Sequence, residues 1–385
     1  MTEADFAEAQ VVHRLGSLAS WSLSDTARAH AVAASSGSAL AWDAGARQPC
    51  PVNGWQGPPG RPDLVQNTRP GVKPHKARAA LVSLLAAGLD HDVLIDMQDR
   101  RVRALTAPDG TVFPTVSFNR LAGAPGRVLW PMPGPLHRIG SDSFLGPFPD
   151  PDALPWQDRA PRLVWRGGPT GRVLTGPDPR REGLRLEGVF AQVAAGRRDM
   201  AWAAAQLARI PRLAFVQALR HHPMADVGLV DRPGLPPLSR ALIDPLLSPP
   251  MPARQQARFR YVAVLRGADL GSSFFWTMNS GSLGLVMDSP WQSFASVHFR
   301  PWEHYVPFRA DLSDLEDRLA WCAAHPRDCA AMVQAARAGC RLLARPGLRA
   351  EIDRAVISGL RAALGRTASL GPAAAPHERA ADAEA

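Results

Sequence analysis

Two glycine-rich segments of the chain combine residue types that bind phosphate groups. RGGPTGR, residues 166–172, follows the apolar run RLVW, and RGADLGSS, residues 266–273, follows the apolar run RYVAVL. Glycine lets the backbone approach an anion, so that backbone amides and an arginine can close on it. Neither segment has the spacing of a Walker A loop or of the dinucleotide-binding fingerprint, and a glycine-rich turn after a strand often does no more than connect two elements. Two such loops in one part of the chain indicate an anion site.

The segment FRPWEHYVPFRADLSD, residues 299–314, sets His304 and Tyr305 between two prolines. Its proline and apolar content predicts a rigid corner rather than a linker. The spacing of Ser313 and Glu316 predicts a capping box and a helix that begins near Asp314. Two interpretations of the corner stay open. One is a packed scaffold, the commoner role of a histidine in an apolar turn, and the other is the wall of a site.

The elements around these segments alternate between strands and helices, which predicts an α/β fold. In the first half, HKARAALVSLLAAGL has the apolar pattern of a helix, and HDVLIDMQD, TVSFNR and RVLWPMP each contain a short strand. In the second half, RYVAVL, FFWTMNSG and LGLVM read as strand, helix and strand, the βαβ unit of a nucleotide-binding layer. Further helices are predicted over residues 199–207 and 314–343, with Pro326 in the first turn of the last one.

Proline-rich segments divide the chain. Residues 48–74 predict a long irregular excursion, and LGPFPDPDALPW, residues 145–156, predicts a linker. The predicted organisation is therefore a first domain over residues 1–155 and a second over 156–345. A helix over 346–370 and a disordered tail, 371–385, follow.

Composition limits the classes of function. The chain has 385 residues, 46% of them apolar and 21% charged, which fits two globular domains. Its formal charge is +9, and only Lys73 and Lys76 are lysines, so arginine carries the basic excess. The excess favours an anionic partner, which is a phosphorylated small molecule, an acidic membrane surface or nucleic acid. Nucleic acid ranks last because the sequence has no basic run and no RNP-like motif.

Cysteine usage and the start of the chain predict a cytoplasmic protein. The four cysteines form no CxxC pair and have no accompanying histidine spacing, so the pattern indicates neither a zinc site nor a disulfide framework. The acidic start lacks the apolar stretch of a signal peptide, and no apolar run approaches the roughly 18 residues of a membrane span. A peripheral contact with a membrane surface stays open.

Three motifs in this order resemble glycosyltransferase family 90. They are WRGGPTGR at 165–172, QARFRYVAVLRGADLGSSFFWTMNSGSL at 256–283 and RPWEHYVPFRADLSDLEDRLAW at 300–321. The family includes protein O-glucosyltransferases, fungal capsule-associated xylosyltransferases and bacterial lipopolysaccharide-modifying enzymes. The spacing from Gly267 to Asp269 is most similar to the bacterial branch. The resemblance covers residues 160–345, with a weaker match back to residue 90.

The resemblance implies a GT-B architecture, in which two Rossmann-like domains face a central cleft. It also implies metal-independent transfer of a hexose or pentose from a UDP-sugar, with inversion at the anomeric carbon. The second domain would hold the UDP-sugar, a co-substrate with no further cofactor, and the first would hold the acceptor. The expected acceptor is a hydroxyl of a cell-surface glycan precursor such as lipopolysaccharide core, met at the inner membrane surface. No nucleic-acid partner is expected.

The resemblance also assigns roles to residues. Asp99 matches the position of the family's catalytic base, with Asp96 and Asp109 as rivals because the alignment there rests on a short motif. The predicted donor-binding residues are Arg166, Gly167, Gly168, Thr170, Arg266, Asp269, Ser272, Ser273, His304 and Tyr305. Two alternatives stay open, namely a structural ion pair for Arg166 and a helix cap for Asp269.

Four positions depart from the family pattern. Ser273 stands where many relatives have an arginine thought to reach the diphosphate, and Phe275 stands where the lipopolysaccharide branch often has a lysine. Ser293 and Ser296 replace acidic residues. These departures leave a second interpretation open, in which the chain is a catalytically silent member that binds a glycan or a sugar nucleotide in an assembly complex.

Overall fold

The computed structural model describes residues 2–18, 31–32, 36–99, 104–131, 154–176, 181–267, 271 and 273–363. Within these residues the strands form two five-stranded sheets and several two-stranded ladders, and helices pack around them. The α/β class predicted from the sequence is therefore confirmed.

The first sheet has the order β10-β8-β5-β1-β2. Its strands are β1 Leu40–Asp43, β2 Gln48–Pro49, β5 Val93–Ile95, β8 Thr115–Ser117 and β10 Arg127–Leu129. The last three are parallel to one another, and β1 runs antiparallel to both of its neighbours. Every residue of β5 is buried, as expected for a parallel strand that is covered on both faces. The three strands predicted in this half are confirmed.

Short elements complete the first half. They are α1 Glu3–Leu15, α2 Pro74–Ala86, β3 Trp55–Gln56, β4 Gln66–Asn67, β6 Leu105–Thr106, β7 Val112–Phe113 and β9 Asn119–Leu121. Helix α2 begins at a proline, whose missing amide costs nothing in the first turn. Its buried stripe, Ala77, Ala80, Leu81 and Leu84, joins the core of the first sheet. The excursion over residues 48–74 contains short strands, a single 3-10 turn at Pro62–Leu64 and irregular segments before α2 begins at Pro74, as its prolines and glycines predicted.

The second sheet is entirely parallel and has the order β14-β11-β15-β16-β18. Its strands are β11 Ala160–Gly167, β14 Ala225–Leu229, β15 Phe259–Val264, β16 Leu283–Met287 and β18 Val306–Phe308. Numbered along the chain, this order is 2-1-3-4-5, which is a doubly wound topology. Strand β12, Arg172–Leu174, pairs with β13, Glu182–Arg185, beside the sheet. The predicted βαβ unit is confirmed, with its helix between β15 and β16.

The helices of the second half cover this sheet and then return to the first half. They are α3 Leu186–Ala194, α4 Met200–Leu207, α5 Pro211–Leu219, α6 Arg240–Ile243, α7 Ala253–Gln256, α8 Phe274–Asn279, α9 Leu315–Ala324, α10 Pro326–Ala344 and α11 Pro346–Ala363. Among the described helices, none combines the length and the apolar content that a bilayer span requires. The predicted tail, 371–385, and most of the predicted linker, 145–156, lie outside the described residues.

Helix α9 begins where the sequence predicted, but its predicted capping box is wrong. No side-chain cap bond forms at this helix start. Leu312 has a left-handed backbone, with φ +67°, and this turns the chain just before the helix. The Asp314 carboxylate accepts from the Arg309 amide at 2.8 Å, and the Ser313 amide donates to Asp311 at 3.1 Å. The turn thus satisfies its own amides before the helix, so that Ser313 does not act as the cap.

The two halves share contacts and a hydrophobic core. Strand β9 pairs antiparallel with β17, Trp291–Ser293, and α1 packs against α11. The Arg14 guanidinium, buried over the Trp130 ring, contacts the Asp353 carboxylate at 2.6 Å. One buried cluster contains side chains from the first sheet as well as from α8, α10 and α11. These contacts fix β17 and the segment after it against the first half of the chain.

Candidate functional site

The topology of the second sheet defines a crevice between the two glycine-rich loops. In the order 2-1-3-4-5, β11 and β15 are the neighbours from which the chain proceeds in opposite directions, and ligands bind outside the carboxyl ends of such strands. RGGPTGR begins at the end of β11, and RGADLGSS follows β15. A Cβ built on Gly171, whose φ is +134°, would lie 4.0 Å from the Gly267 carbonyl oxygen. The structure therefore brings together the two loops that the sequence singled out.

Arg212, in the first turn of α5, ties the two loops together. Its Nη1 donates to the Thr170 hydroxyl at 2.7 Å and to the Gly168 carbonyl at 3.3 Å. Its Nε donates to the Arg266 carbonyl at 3.0 Å, and the guanidinium lies 5.8 Å from the centroid of the Trp165 ring. Sequence reasoning missed Arg212, because nothing in its local pattern distinguishes it from the many other arginines of the chain.

Arg166 points into a different set of contacts. Its Nη2 lies 2.5 Å from the Asp226 carboxylate on β14, and its Nη1 donates to the carbonyls of Asp226 and Trp165. The Nε donates to the Pro249 carbonyl at 3.2 Å, so this edge of the guanidinium also has a partner. This geometry favours the structural ion pair, the alternative left open for Arg166. The backbone of Gly167 and Gly168 and the hydroxyl of Thr170 stay at the crevice.

Arg266, the first residue of the second loop, is bound to the Glu182 carboxylate of β13. The side chain of Arg266 is 2% exposed and that of Glu182 is 6% exposed. The hairpin β12-β13 therefore places a buried negative charge beside this arginine. Gly271 is required by packing, because a Cβ there would lie 2.6 Å from the Leu265 carbonyl oxygen. Ser273 lies just before α8 and makes no side-chain cap. Asp269 and Ser272 lie outside the described residues.

A cavity of about 310 Å³ opens beside the second loop, at the carboxyl ends of β15 and β16. Its described walls include the apolar side chains of Phe274, Trp291 and Phe299, with the polar side chains of Arg266, Asp288, Ser289, Gln292, Ser296 and Tyr305. Apolar walls with a few polar groups are typical of small-molecule sites, and this volume lies at the lower end of their usual range. The cavity can hold a ring-sized polar ligand.

Asp288 and Tyr305 give the cavity its polar character. The surrounding protein partly desolvates the exposed Asp288 carboxyl and so raises its pKa, and the charge of Asp314 raises it further. Burial, followed by the negative charge of Asp288, raises the pKa of Tyr305 to about 12, so its phenol stays protonated at neutral pH. Within the described structure neither the Tyr305 hydroxyl nor the Asp288 carboxylate has a hydrogen-bond partner. Both groups are therefore available to a ligand.

In the corner before β18, His304 and Tyr305 take different roles, and these are the two roles that the sequence left open. His304 Nδ1 accepts from the Arg300 amide at 3.0 Å, and its ring packs edge-on against Phe299. Burial lowers the pKa of His304, which favours the neutral ring that this hydrogen bond requires. Tyr305 packs edge-on against Phe274 and lines the cavity. His304 thus holds the corner, whereas Tyr305 forms the wall.

The three candidate carboxylates of the first half have different surroundings. Asp96 is completely buried and accepts from the hydroxyls of Ser36 and Ser38. Asp109 accepts from the Thr111 amide at 2.9 Å in the turn between β6 and β7. Asp96 is therefore a structural group, whereas Asp109 is exposed.

Asp99, beyond β5, is 45% exposed and lies 2.8 Å from Lys76 Nζ. That ammonium lies 5.1 Å from the centroid of the Phe118 ring, and Phe118 directly precedes β9. Strand β9 pairs with β17, whose Trp291 and Gln292 line the cavity. Asp99 is thus accessible, as Asp109 is, and its contacts through Lys76 and Phe118 lead to the strand pair beside the cavity.

The departures from the family pattern have local explanations. The hydroxyls of Ser293 and Ser296 lie 3.2 Å apart, and the Ser293 amide donates to the Ser296 hydroxyl at 2.8 Å. Phe275 is buried and stacks against Phe294, 5.5 Å between ring centroids.

In the part of the chain that the structure describes, no three His, Cys, Asp or Glu side chains are grouped so as to hold a metal ion.

Comparisons with known proteins agree with the motifs. The profile of glycosyl transferase family 90 matches residues 249–341, which include β15, α8, β16 and the cavity. O-glucosyltransferase LpsA of Dichelobacter nodosus is 26% identical over 136 residues, 35% of this chain and 41% of that protein. Protein O-glucosyltransferase 3 of Rattus norvegicus is 27% identical over 89 residues, 23% of this chain and 18% of that protein.

A third relative, uncharacterized protein 027R of Frog virus 3, is 30% identical over 190 residues, 47% of this chain and 18% of that protein. The chain spans less than half the length of each of these three relatives. The matches confirm the resemblance read from the motifs, and residues 249–341 match the profile of glycosyl transferase family 90.

Proposed function

We propose that the chain is an inverting, metal-independent glycosyltransferase. It moves a hexose or pentose from a UDP-sugar to a hydroxyl of a cell-surface glycan precursor such as lipopolysaccharide core. The observation that carries the proposal is the crevice between two glycine-rich loops at the switch point of a parallel sheet, with a polar cavity beside the second loop. The printed names of two relatives, both O-glucosyltransferases, support sugar transfer.

The donor belongs at the second sheet and the acceptor at the first, as in a GT-B enzyme. The UDP diphosphate would meet the backbone amide of Gly168 and the hydroxyl of Thr170, with the charge of Arg212 close by. Fixed dipoles and charges of this kind stabilise the negative charge that grows on a departing diphosphate. The sugar would then lie in the cavity beside the second loop.

The chemistry needs one base. Asp99 takes the proton of the acceptor hydroxyl while that oxygen attacks the anomeric carbon from the face opposite UDP. The bond between the anomeric carbon and the phosphate oxygen breaks, UDP departs with the electron pair, and the configuration inverts. The Lys76 ammonium, 2.8 Å from Asp99, orients the carboxylate and stabilises its charge before the proton arrives.

One observation favours the second candidate, a silent member that binds a glycan or sugar nucleotide in an assembly complex. Arg266 is bound to Glu182, and Ser273 replaces the arginine expected nearby, so the described part of this loop offers little positive charge to a leaving group. Binding without turnover would then be the outcome. Slow hydrolysis of a bound UDP-sugar distinguishes the two candidates, because water can replace the acceptor only where the chemistry is intact.

The test is a thermal-shift screen of the purified chain against UDP, UDP-glucose, UDP-galactose, UDP-xylose and the corresponding GDP and CMP compounds. A ligand at a hundred times its Kd stabilises the native state by about 2.7 kcal/mol, enough to be measured. We expect stabilisation by uridine compounds and by no other nucleotide. A chain that responds to none of them contradicts the proposal, and one that binds UDP without hydrolysing any UDP-sugar supports the silent alternative.

A further inference from the structure

Asp288 occupies a fixed position at the cavity. It directly follows β16, and its amide donates to the Phe308 carbonyl at 2.8 Å, which holds its backbone at the carboxyl edge of the sheet. Its side chain lines the same cavity as Arg266 of the second loop. The carboxylate has no partner within the described structure, as noted above. Asp288 is exposed, so among the described residues its carboxylate is left to solvent or to a ligand.

The charge of the cavity wall is negative on balance. Among its described lining residues only Arg266 and Asp288 are charged, and Arg266 is already neutralised by the buried Glu182. The other charges that act on Asp288 are Asp311 and Asp314 against Arg309 and Arg318, and these four sum to zero. The Asp288 charge therefore remains uncompensated.

The remaining groups suit a neutral sugar ring. A carboxylate can accept from two neighbouring hydroxyls, and the Tyr305 phenol can donate or accept. Gln292 Oε1 already accepts from Arg120 Nε at 3.0 Å, so the amide nitrogen is the end that can donate to a ligand. The rings of Phe274, Trp291 and Phe299 provide apolar surface for the C–H faces of a pyranose.

We propose that Asp288 is the residue that selects the donor sugar by charge. It binds hydroxyls of an uncharged sugar and excludes sugars that carry a carboxylate or a phosphate. This inference rests on the proposed function, since it assigns the cavity to the sugar of a UDP-sugar. The names of two relatives point to glucose, an uncharged sugar, and the inference adds the residue that would enforce this preference.

The experiment measures Kd by isothermal titration calorimetry on the purified chain. The ligands are UDP and two pairs that differ only at C6, UDP-glucose with UDP-glucuronate and UDP-galactose with UDP-galacturonate. For the pair whose neutral sugar binds better, we expect the uronate to bind about 10-fold more weakly or worse, because its carboxylate meets Asp288. In Asp288→Asn the ratio should fall below about 3-fold while the Kd of UDP stays within about 2-fold of its original value.

Asp311→Asn is the matched control. It removes the same charge from a nearby carboxylate that does not line the cavity, and its retained side-chain oxygen can still accept from the Ser313 amide. We expect this variant to keep the original preference.

Three results would overturn the inference while the proposed function stands. They are equal binding of uronate and neutral sugar by the original chain, an unchanged ratio in Asp288→Asn, and loss of UDP binding in Asp288→Asn alone. A chain that does not bind UDP at all would overturn both proposals.

Discussion

Replacing Arg212 with methionine should loosen both glycine-rich loops. The substitution removes a guanidinium that donates to Thr170, Gly168 and the Arg266 carbonyl, and whose Nη2 also lies 3.4 Å from the Leu265 carbonyl. A hydrogen bond from a charged donor contributes about 1.5–3 kcal/mol when it is well formed, and two of these four contacts are long. Because the site is half-buried, we expect the free energy of unfolding to fall by about 2–4 kcal/mol.

Urea unfolding measures the stability, and calorimetric titration with UDP measures the site. We expect UDP to bind at least about 10-fold more weakly, because the loops lose their alignment and the crevice loses a positive charge. Arg212→Lys should restore part of the charge but not the alignment, since an ammonium cannot bridge both loops as a planar guanidinium does.

Arg209→Met is the matched control for Arg212→Met. Arg209 precedes α5 on an exposed part of the same segment, and its side chain makes no hydrogen bond or ion pair with the described residues of either loop. We expect this variant to change stability by less than about 0.5 kcal/mol, as surface substitutions usually do. The reasoning is refuted if Arg212→Met unfolds at the same urea concentration as the original chain and binds UDP equally well.

Three further predictions concern the carboxylates and a buried histidine. Asp99→Asn should lower the rate of sugar transfer by about 100-fold or more and leave the UDP affinity nearly unchanged. Initial rates measure the transfer, and calorimetry measures the affinity. If Asp99→Asn is active and Asp96→Asn is inactive, the base is misassigned. Glu182→Ala removes the carboxylate bound to the buried Arg266 and should lower the free energy of unfolding in urea by about 3–5 kcal/mol. The double variant with Arg266→Met should recover most of that loss. Burial lowers the pKa of His298 to about 3, so the unfolded chain binds a proton that the folded chain does not. The free energy of unfolding should therefore fall as pH drops from about 6.5 to 3, by up to about 1.4 kcal/mol per pH unit. In His298→Phe this dependence on pH should be weaker. An unchanged slope contradicts the assignment.

The sequence could predict the elements because their signals are local. The apolar runs of β15 and β16 and the stripe of α2 follow from residues within one or two turns, and each lies where its pattern placed it. The capping box at Ser313 failed for a tertiary reason. The left-handed Leu312 and the Asp314 bond to Arg309 redirect the turn, and neither can be read from spacing alone.

The candidate site was only partly predictable for the same reason. The two loops could be found because glycine after a strand is a local signal, and the parallel sheet then brings them together. Their partners could not be found. Asp226 lies 60 residues from Arg166, and Glu182 lies 84 residues from Arg266, so both pairs are formed by the topology. Arg212 is tied to the loops by contacts across 42–54 residues, which no spacing in the sequence reveals.

These pairings determine which groups can bind a diphosphate. Arg166 and Arg266 begin the two loops and are the residues that a motif-based interpretation would assign to phosphate, yet each is bound to a carboxylate. Recruiting Arg266 for a phosphate would break its buried ion pair with Glu182, at a cost of about 3–5 kcal/mol. That cost is a large fraction of the roughly 8 kcal/mol that a micromolar ligand supplies. Backbone amides and Arg212 require no such exchange. The affinity for a diphosphate should therefore depend on how the loops are held together more than on the arginines that begin them.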